Sequence, residues 1–207
     1  MPTKRFEKLD NDTQRRVLEA AAEEFAQHGY QAASLNQILV AAGMSKGSFY
    51  YYFENKADLY LSVLRDITQT VLATMDYSPD QAFHGDYWDL HEEFARRKVA
   101  FTFAHPRLAR LLVEFIRIAR RPDAPTPLKD YFEETRRITT EFYRKGQDLG
   151  VVRRDLPLDL LINLVYAIGD TLSEGLATQI EALSREEIDH HSRLVVDLVR
   201  RVAENVP

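Results

Sequence analysis

Apolar positions along the chain recur every third or fourth residue, which lines them along one side of a helix, and nowhere alternate long enough for a strand. Val17, Leu18, Ala21, Ala22, Phe25 and Ala26 make a first stripe, with Asp12 as a candidate cap and Gly29 as a stop. Three short segments follow to about residue 53, and a longer periodic run covers roughly 56–75. Breakers stand at Ser78-Pro79, at Pro122 to Pro127, and between Gly150 and Pro157. They separate helical patterns near 87–104, 106–120, 127–148, 158–182 and 186–204. About nine helices and no internal repeat predict an all-α fold, with a three-helix N-terminal unit followed by a larger helical domain.

The stretch from Ser34 to Lys56, SLNQILVAAGMSKGSFYYYFENK, carries the most information. Ser34 followed by Gln37 is a capping-box signature, and Leu35, Ile38, Leu39 and Ala42 supply a buried face. Gly43 sits where a helix ends in a left-handed residue, and Ser45 can cap a second helix immediately afterwards. Helix, short glycine-containing turn, helix is the helix-turn-helix pattern, which sends the second helix toward a major groove. Phe49 and Phe53, four residues apart, point to the core. Three consecutive tyrosines cannot all be buried on one helix, so at least one exposes its hydroxyl. Tyrosine hydroxyls and the Lys46 ammonium suit phosphate oxygens. Gly47 removes a side chain where the helix would press closest to DNA. Asn55 is placed to cap the next helix.

Charge changes this picture only by restricting it. The 207 residues carry 27 Lys and Arg against 32 Asp and Glu, a formal net charge of −5. A polyanion-binding surface over the whole chain is therefore excluded, and DNA contact falls to a local patch. Residues 1–60 hold seven Lys/Arg and eight Asp/Glu, with Arg15 and Arg16 expected on a solvated face. The chain has no cysteine, which rules out disulfides, thiolate metal sites and thiol nucleophiles. No apolar signal region occurs in residues 1–12, and the longest apolar stretch, near Leu156 to Ile168, is interrupted by Pro157, Asp159 and Asn163. A soluble, cytoplasmic protein without a membrane partner is the expectation. No histidine pair, glycine loop or nucleophile motif points to an enzyme, a metal site or a cofactor.

Residues 13–64 resemble the N-terminal DNA-binding domain of the TetR family of bacterial transcriptional regulators. The matching string runs from Phe25, Gly29 and Tyr30 through Ser34, Ile38 and the block Ala42 to Phe53, to Asn55, Lys56 and Leu59. Leu39 departs from the family's usual alanine, implying a repacked core rather than lost function. The resemblance implies a DNA-binding domain over 1–55 and an effector-binding and dimerisation domain over 56–207. Carried over by position, it implies that Ser34 bonds phosphate and Asn36 reaches a base edge. Ser45, Lys46, Gly47 and Ser48 would then open the recognition helix, and Tyr50, Tyr51 and Lys56 would contact backbone phosphates. Lys46 and Asn36 carry the donors suited to base readout.

Such modules pair to read half-sites about 34–36 Å apart. Two stripes offer a dimer surface: Leu161, Leu164, Val165, Ile168 and Leu172, beside a ridge of Gly169, Ser173 and Ala177, then Val195, Leu198, Val199 and Val202. The alternative for both stripes is ordinary core. An apolar effector pocket with a few polar groups is expected from Phe101, His105, Phe115, Arg117, Tyr143, Asn163, Tyr166 and Asp170, with Glu174 one turn further. The resulting expectation is a homodimeric repressor released from a palindromic operator by a small molecule. A regulator without an effector, or an activator, remains the alternative.

Overall fold

A computed structural model describes residues 5–74, 87–179 and 184–205, with the side chains of 72–74, 172–179, 185 and 188 outside the description. A single 3-10 turn, Phe6–Lys8, precedes α1 (Asn11–Ala32), α2 (Leu35–Ala42), α3 (Lys46–Tyr52) and α4 (Lys56–Thr74). After these come α5 (Tyr87–Ala104), α6 (Pro106–Ala119), α7 (Thr126–Asp148), α8 (Leu158–Gln179) and α9 (Arg185–Ala203). Among the described residues the fold is all-α, and no helix is long and apolar enough to cross a membrane. The Ser78-Pro79 breaker lies outside the described residues.

Two compact units share the chain. The first takes Met1–Thr70 together with Arg107–Phe132, and the second takes Val71–Pro106 with Glu133–Pro207. The expected division at 55/56 follows the sequence motif, whereas these units follow packing.

In the first unit α1 packs on α2, and Phe25, Phe49, Phe53 and Tyr60 have no exposed surface. Burying each such ring is worth about 2–3 kcal/mol. Asp10, not Asp12, caps α1, its carboxylate accepting the Thr13 amide at 2.8 Å. Asp12 sits inside the first turn, where its oxygen accepts from Arg15 instead. Gly29 has φ 71° and ψ 164°, so the helical path breaks there and one more turn carries the chain to Ala32. That conformation is essentially restricted to glycine. Helix α6 is fastened to the break: the Tyr30 amide donates to Glu114 Oε1 at 2.9 Å. Tyr60 Oη donates to the Leu111 carbonyl at 3.0 Å from α4, and Arg107 pairs with Glu23 at 3.0 Å.

The second unit is built round Tyr87, Trp88, Tyr143, Val152, Leu161, Ile162, Val199 and Ala203. Here α9 packs on both α5 and α8. The linker after α7 pairs with the end of α9 and the residues that follow it, the Arg153 amide donating to Ala203 O at 2.9 Å and the Asn205 amide to Val151 O at 3.0 Å. This packing corrects the two candidate dimer stripes. Leu161 and Val199 are buried in the unit's own core, with Val165, Ile168, Val195 and Val202 packed against it. The reason is that α8 and α9 first need each other. What stays outward is Leu160 and Leu164 on α8 and Leu194 on α9. Leu172, Ser173, Glu174 and Ala177 lie outside the described side chains.

Candidate nucleic-acid interface

The turn between α2 and α3 is set by local chemistry. Ser34 Oγ accepts the Gln37 amide at 3.4 Å, while its own amide donates to Glu24 Oε1 at 2.7 Å, tying the start of α2 to α1. The sequence pattern suggested a reciprocal bond from Gln37; Glu24 of the neighbouring helix takes the Ser34 amide instead. At the other end Gly43 is left-handed (φ 64°, ψ 32°), and the Met44 amide closes onto Leu39 O at 2.9 Å. Ser45 Oγ then accepts the Ser48 amide at 3.1 Å and opens α3.

Helix α3 is divided by face. Phe49 and Phe53 are fully buried, stacked with ring centroids 5.3 Å apart. Tyr50 and Tyr51 are 56% and 53% exposed, so both hydroxyls are available at the surface. Tyr52 is half-buried and meets the Phe6 ring edge-on at 6.2 Å, a partner supplied by the segment before α1. Asn36, Ser45, Lys46, Gly47 and Ser48 are all exposed. A Cβ at Gly47 would meet only Ser45 Oγ, at 3.9 Å. Among the described residues, nothing packed against that position requires glycine. Leu39 is buried at 6% exposure, so the larger side chain is accommodated in the core.

Lys56 has a second engagement that the sequence pattern did not reveal. Its ammonium donates to Gln31 O at 3.0 Å and Ala33 O at 3.1 Å and lies 5.1 Å from the Tyr30 ring centre. Burial there pulls its pKa below the ordinary lysine value. Two of its three N–H donors thus hold the end of α1, leaving one for a ligand. Asn55 Oδ1 accepts the Asp58 amide at 3.1 Å and caps α4, and Asp58 Oδ2 accepts the Glu54 amide at 3.2 Å. Arg15 is occupied by Asp12 at 3.3 Å, and Arg16 donates to Thr13.

The candidate effector residues divide between the units. Phe115 is buried in the first, 5.5 Å from Tyr131 and 6.4 Å from Phe132, and Arg117 is exposed there. In the second, Phe101 is buried with its ring 4.8 Å from the exposed His105, and Asn163 faces outward. Tyr143 is buried, with Oη 2.9 Å from His91 Nε2; Tyr166 is half-buried, with Oη 3.2 Å from Thr139 Oγ1, and Asp170 is also half-buried. His91 escaped the sequence reading. Its only early signal was its place one turn after Trp88 on an apolar face. Its Nδ1 is buried without a hydrogen-bond partner, and burial pulls its pKa down to about 4.

Residues 17–63 match the family model described as bacterial regulatory proteins, tetR family. The chain is 27% identical over 194 residues to the HTH-type transcriptional repressor SCO4008 of Streptomyces coelicolor, covering 86% of this chain and 95% of that one. Among solved structures, a TetR family transcriptional regulator from Chloroflexus aurantiacus matches all of both chains at 24% identity with a TM-score of 0.68. The regulator FadR from Bacillus subtilis, solved in complex with stearoyl-CoA, matches 89% of this chain and 96% of its own at 18% identity, TM-score 0.70. At such identities the two structures bear on the fold alone.

Proposed function

Because the chain belongs to the TetR family of bacterial helix-turn-helix transcriptional regulators, we propose that it is a cytoplasmic, homodimeric repressor that leaves a palindromic operator when a small molecule binds. The observation that carries the DNA-binding part is the division of α3. Two phenylalanines with no exposed surface hold it, and Lys46, Gly47, Ser48, Tyr50 and Tyr51 all present to solvent. In this reading Lys46 and Asn36 meet base edges. Ser34, Ser45, Ser48, Tyr50 and Tyr51 bind backbone phosphates, joined by the remaining donor of Lys56. The function calls for no catalytic group, metal or cofactor.

Pairing is supported by Leu160, Leu164 and Leu194, which are 45%, 38% and 38% exposed on helices whose other sides are core. A second copy would cover them and bring two recognition helices to half-sites one DNA turn apart. For the effector, the polar groups set among apolar ones in the second unit support a site that includes Phe101, Tyr143, Tyr166 and Asp170, with His91 added. The effector acts by its differential affinity for two placements of α4. The deciding experiment is selection of bound fragments from random DNA by the purified protein. An enriched inverted repeat is expected; binding without any sequence preference would refute the reading.

A further inference from the structure

Arg5 lies outside the helix-turn-helix, yet its guanidinium sits over the Tyr51 ring, with Cζ 4.6 Å from the centroid. That is well inside the range of a cation–π contact. The segment carrying it is held at three points. Phe6 is 4% exposed, its ring 4.8 Å from Phe53 at the end of α3. The Lys8 and Leu9 amides close a 3-10 turn on the Arg5 and Phe6 carbonyls at 3.2 and 3.0 Å. From α1, the Gln14 side-chain amide donates to Glu7 O at 3.2 Å and Leu9 O at 2.7 Å.

The charge of Arg5 is also uncommitted. Arg15 and Arg107 have carboxylate partners and Lys56 has two carbonyls, whereas among the described residues no carboxylate pairs with Arg5. Lying over the ring uses none of the guanidinium N–H groups in a hydrogen bond, so its donor fork stays available for a phosphate. We propose that Arg5, stacked on Tyr51, is a further DNA-backbone-binding residue that holds a phosphate flanking the bases read by α3. This rests on the operator-binding reading above. A phosphate oxygen would sit between the Arg5 fork and the Tyr51 hydroxyl, both residues being exposed. Phe6 ties that position to the core, so the contact forms without ordering a free arm.

The test is a fluorescence-anisotropy titration of full-length protein on the selected operator across a series of salt concentrations. Arg5→Ala is expected to weaken binding about five- to tenfold and to flatten the salt dependence by about one unit of slope. Base preference should stay unchanged, and stability should fall by no more than the small contribution of one exposed cation–π contact. Losses from Arg5→Ala and Tyr51→Leu should be smaller together than their sum, because the second removes the platform of the first. Unchanged affinity and slope in Arg5→Ala would overturn the proposal, as would an altered base preference at unchanged slope. Lys46→Ala separates the two readings. If it loses base preference while Arg5→Ala is inert, operator binding stands and only the Arg5 contact falls. A wild-type protein that selects no operator overturns both.

Discussion

His91 shows how a single buried group makes stability depend on pH. Its native pKa is about 4, against 6.5 for an ordinary histidine, because burial disfavours the imidazolium. Above the ordinary value neither state is protonated and the group costs nothing. As pH falls from about 6.5 to about 4 the unfolded chain gains a proton that the folded one refuses, and stability is lost by at most about 3 kcal/mol. Urea unfolding at pH 7 and pH 5 should show about 2 kcal/mol of that loss, and His91→Gln should reduce the slope between them. Lys56 makes a different point at the same scale. Lys56→Ala removes two hydrogen bonds to carbonyls at the end of α1 and should lower stability by about 1–2 kcal/mol as well as weaken DNA binding. Lys46→Ala, at an exposed position, should weaken binding with the unfolding midpoint unmoved. Thermal unfolding alongside DNA titration separates the two lysines.

Among the elements, α2, its turn and α3 were legible because the residues that cap and break them act locally, although Glu24 of α1 takes the Ser34 amide. Ser34, Gly43 and Ser45 act within a few residues, and the spacing of Phe49 and Phe53 sets the buried face. The break in α1 was only half legible. Gly29 announces a stop, but the carboxylate that accepts the next amide comes from Glu114, 84 positions along the chain. Gly29→Ala should therefore destabilise by about 1–3 kcal/mol. The backbone is strained at φ 71°, while the new Cβ, 2.9 Å from Glu114 Oε1, could displace that flexible side chain. Gly146 in α7 is the complementary case: its φ demands nothing unusual, yet a Cβ would collide with Val152 Cγ2 and with Tyr87 Cζ at 2.7 Å. Gly146→Ala should cost about 1–3 kcal/mol by overpacking, read as a lower unfolding midpoint.

For the whole molecule, the net charge of −5 lies mostly outside the segment that carries the candidate interface. Beyond residue 60 the tally is 20 Lys and Arg against 24 Asp and Glu, so most of the excess lies outside the first 60 residues. A negative chain with a few placed donors binds nonspecific DNA weakly, because most of its field repels the backbone. Assembly belongs to this scale too. Sedimentation equilibrium of wild type should give a dimer, and Leu164→Asp with Leu194→Asp should give a monomer with much reduced operator affinity. Both leucines are exposed, so the substitutions should spare the fold of each chain. A wild-type monomer would remove the pairing proposal.

Periodicity and capping by themselves determined the helices, the all-α class and the helix-turn-helix pattern, because a helix is specified by residues three and four apart and its ends by the nearest polar side chains. The tertiary structure alone decided where the apolar stripes went. Leu161 and Val199 read the same as Leu164 in the sequence, but only the packing of α8 on α9 makes the first two core and leaves the third outside. It also decided that Lys56 braces α1, that His91 is buried against Tyr143, and that Arg5 lies on Tyr51. Each of these joins residues far apart in the chain, and no local spacing encodes which distant partner a side chain will meet.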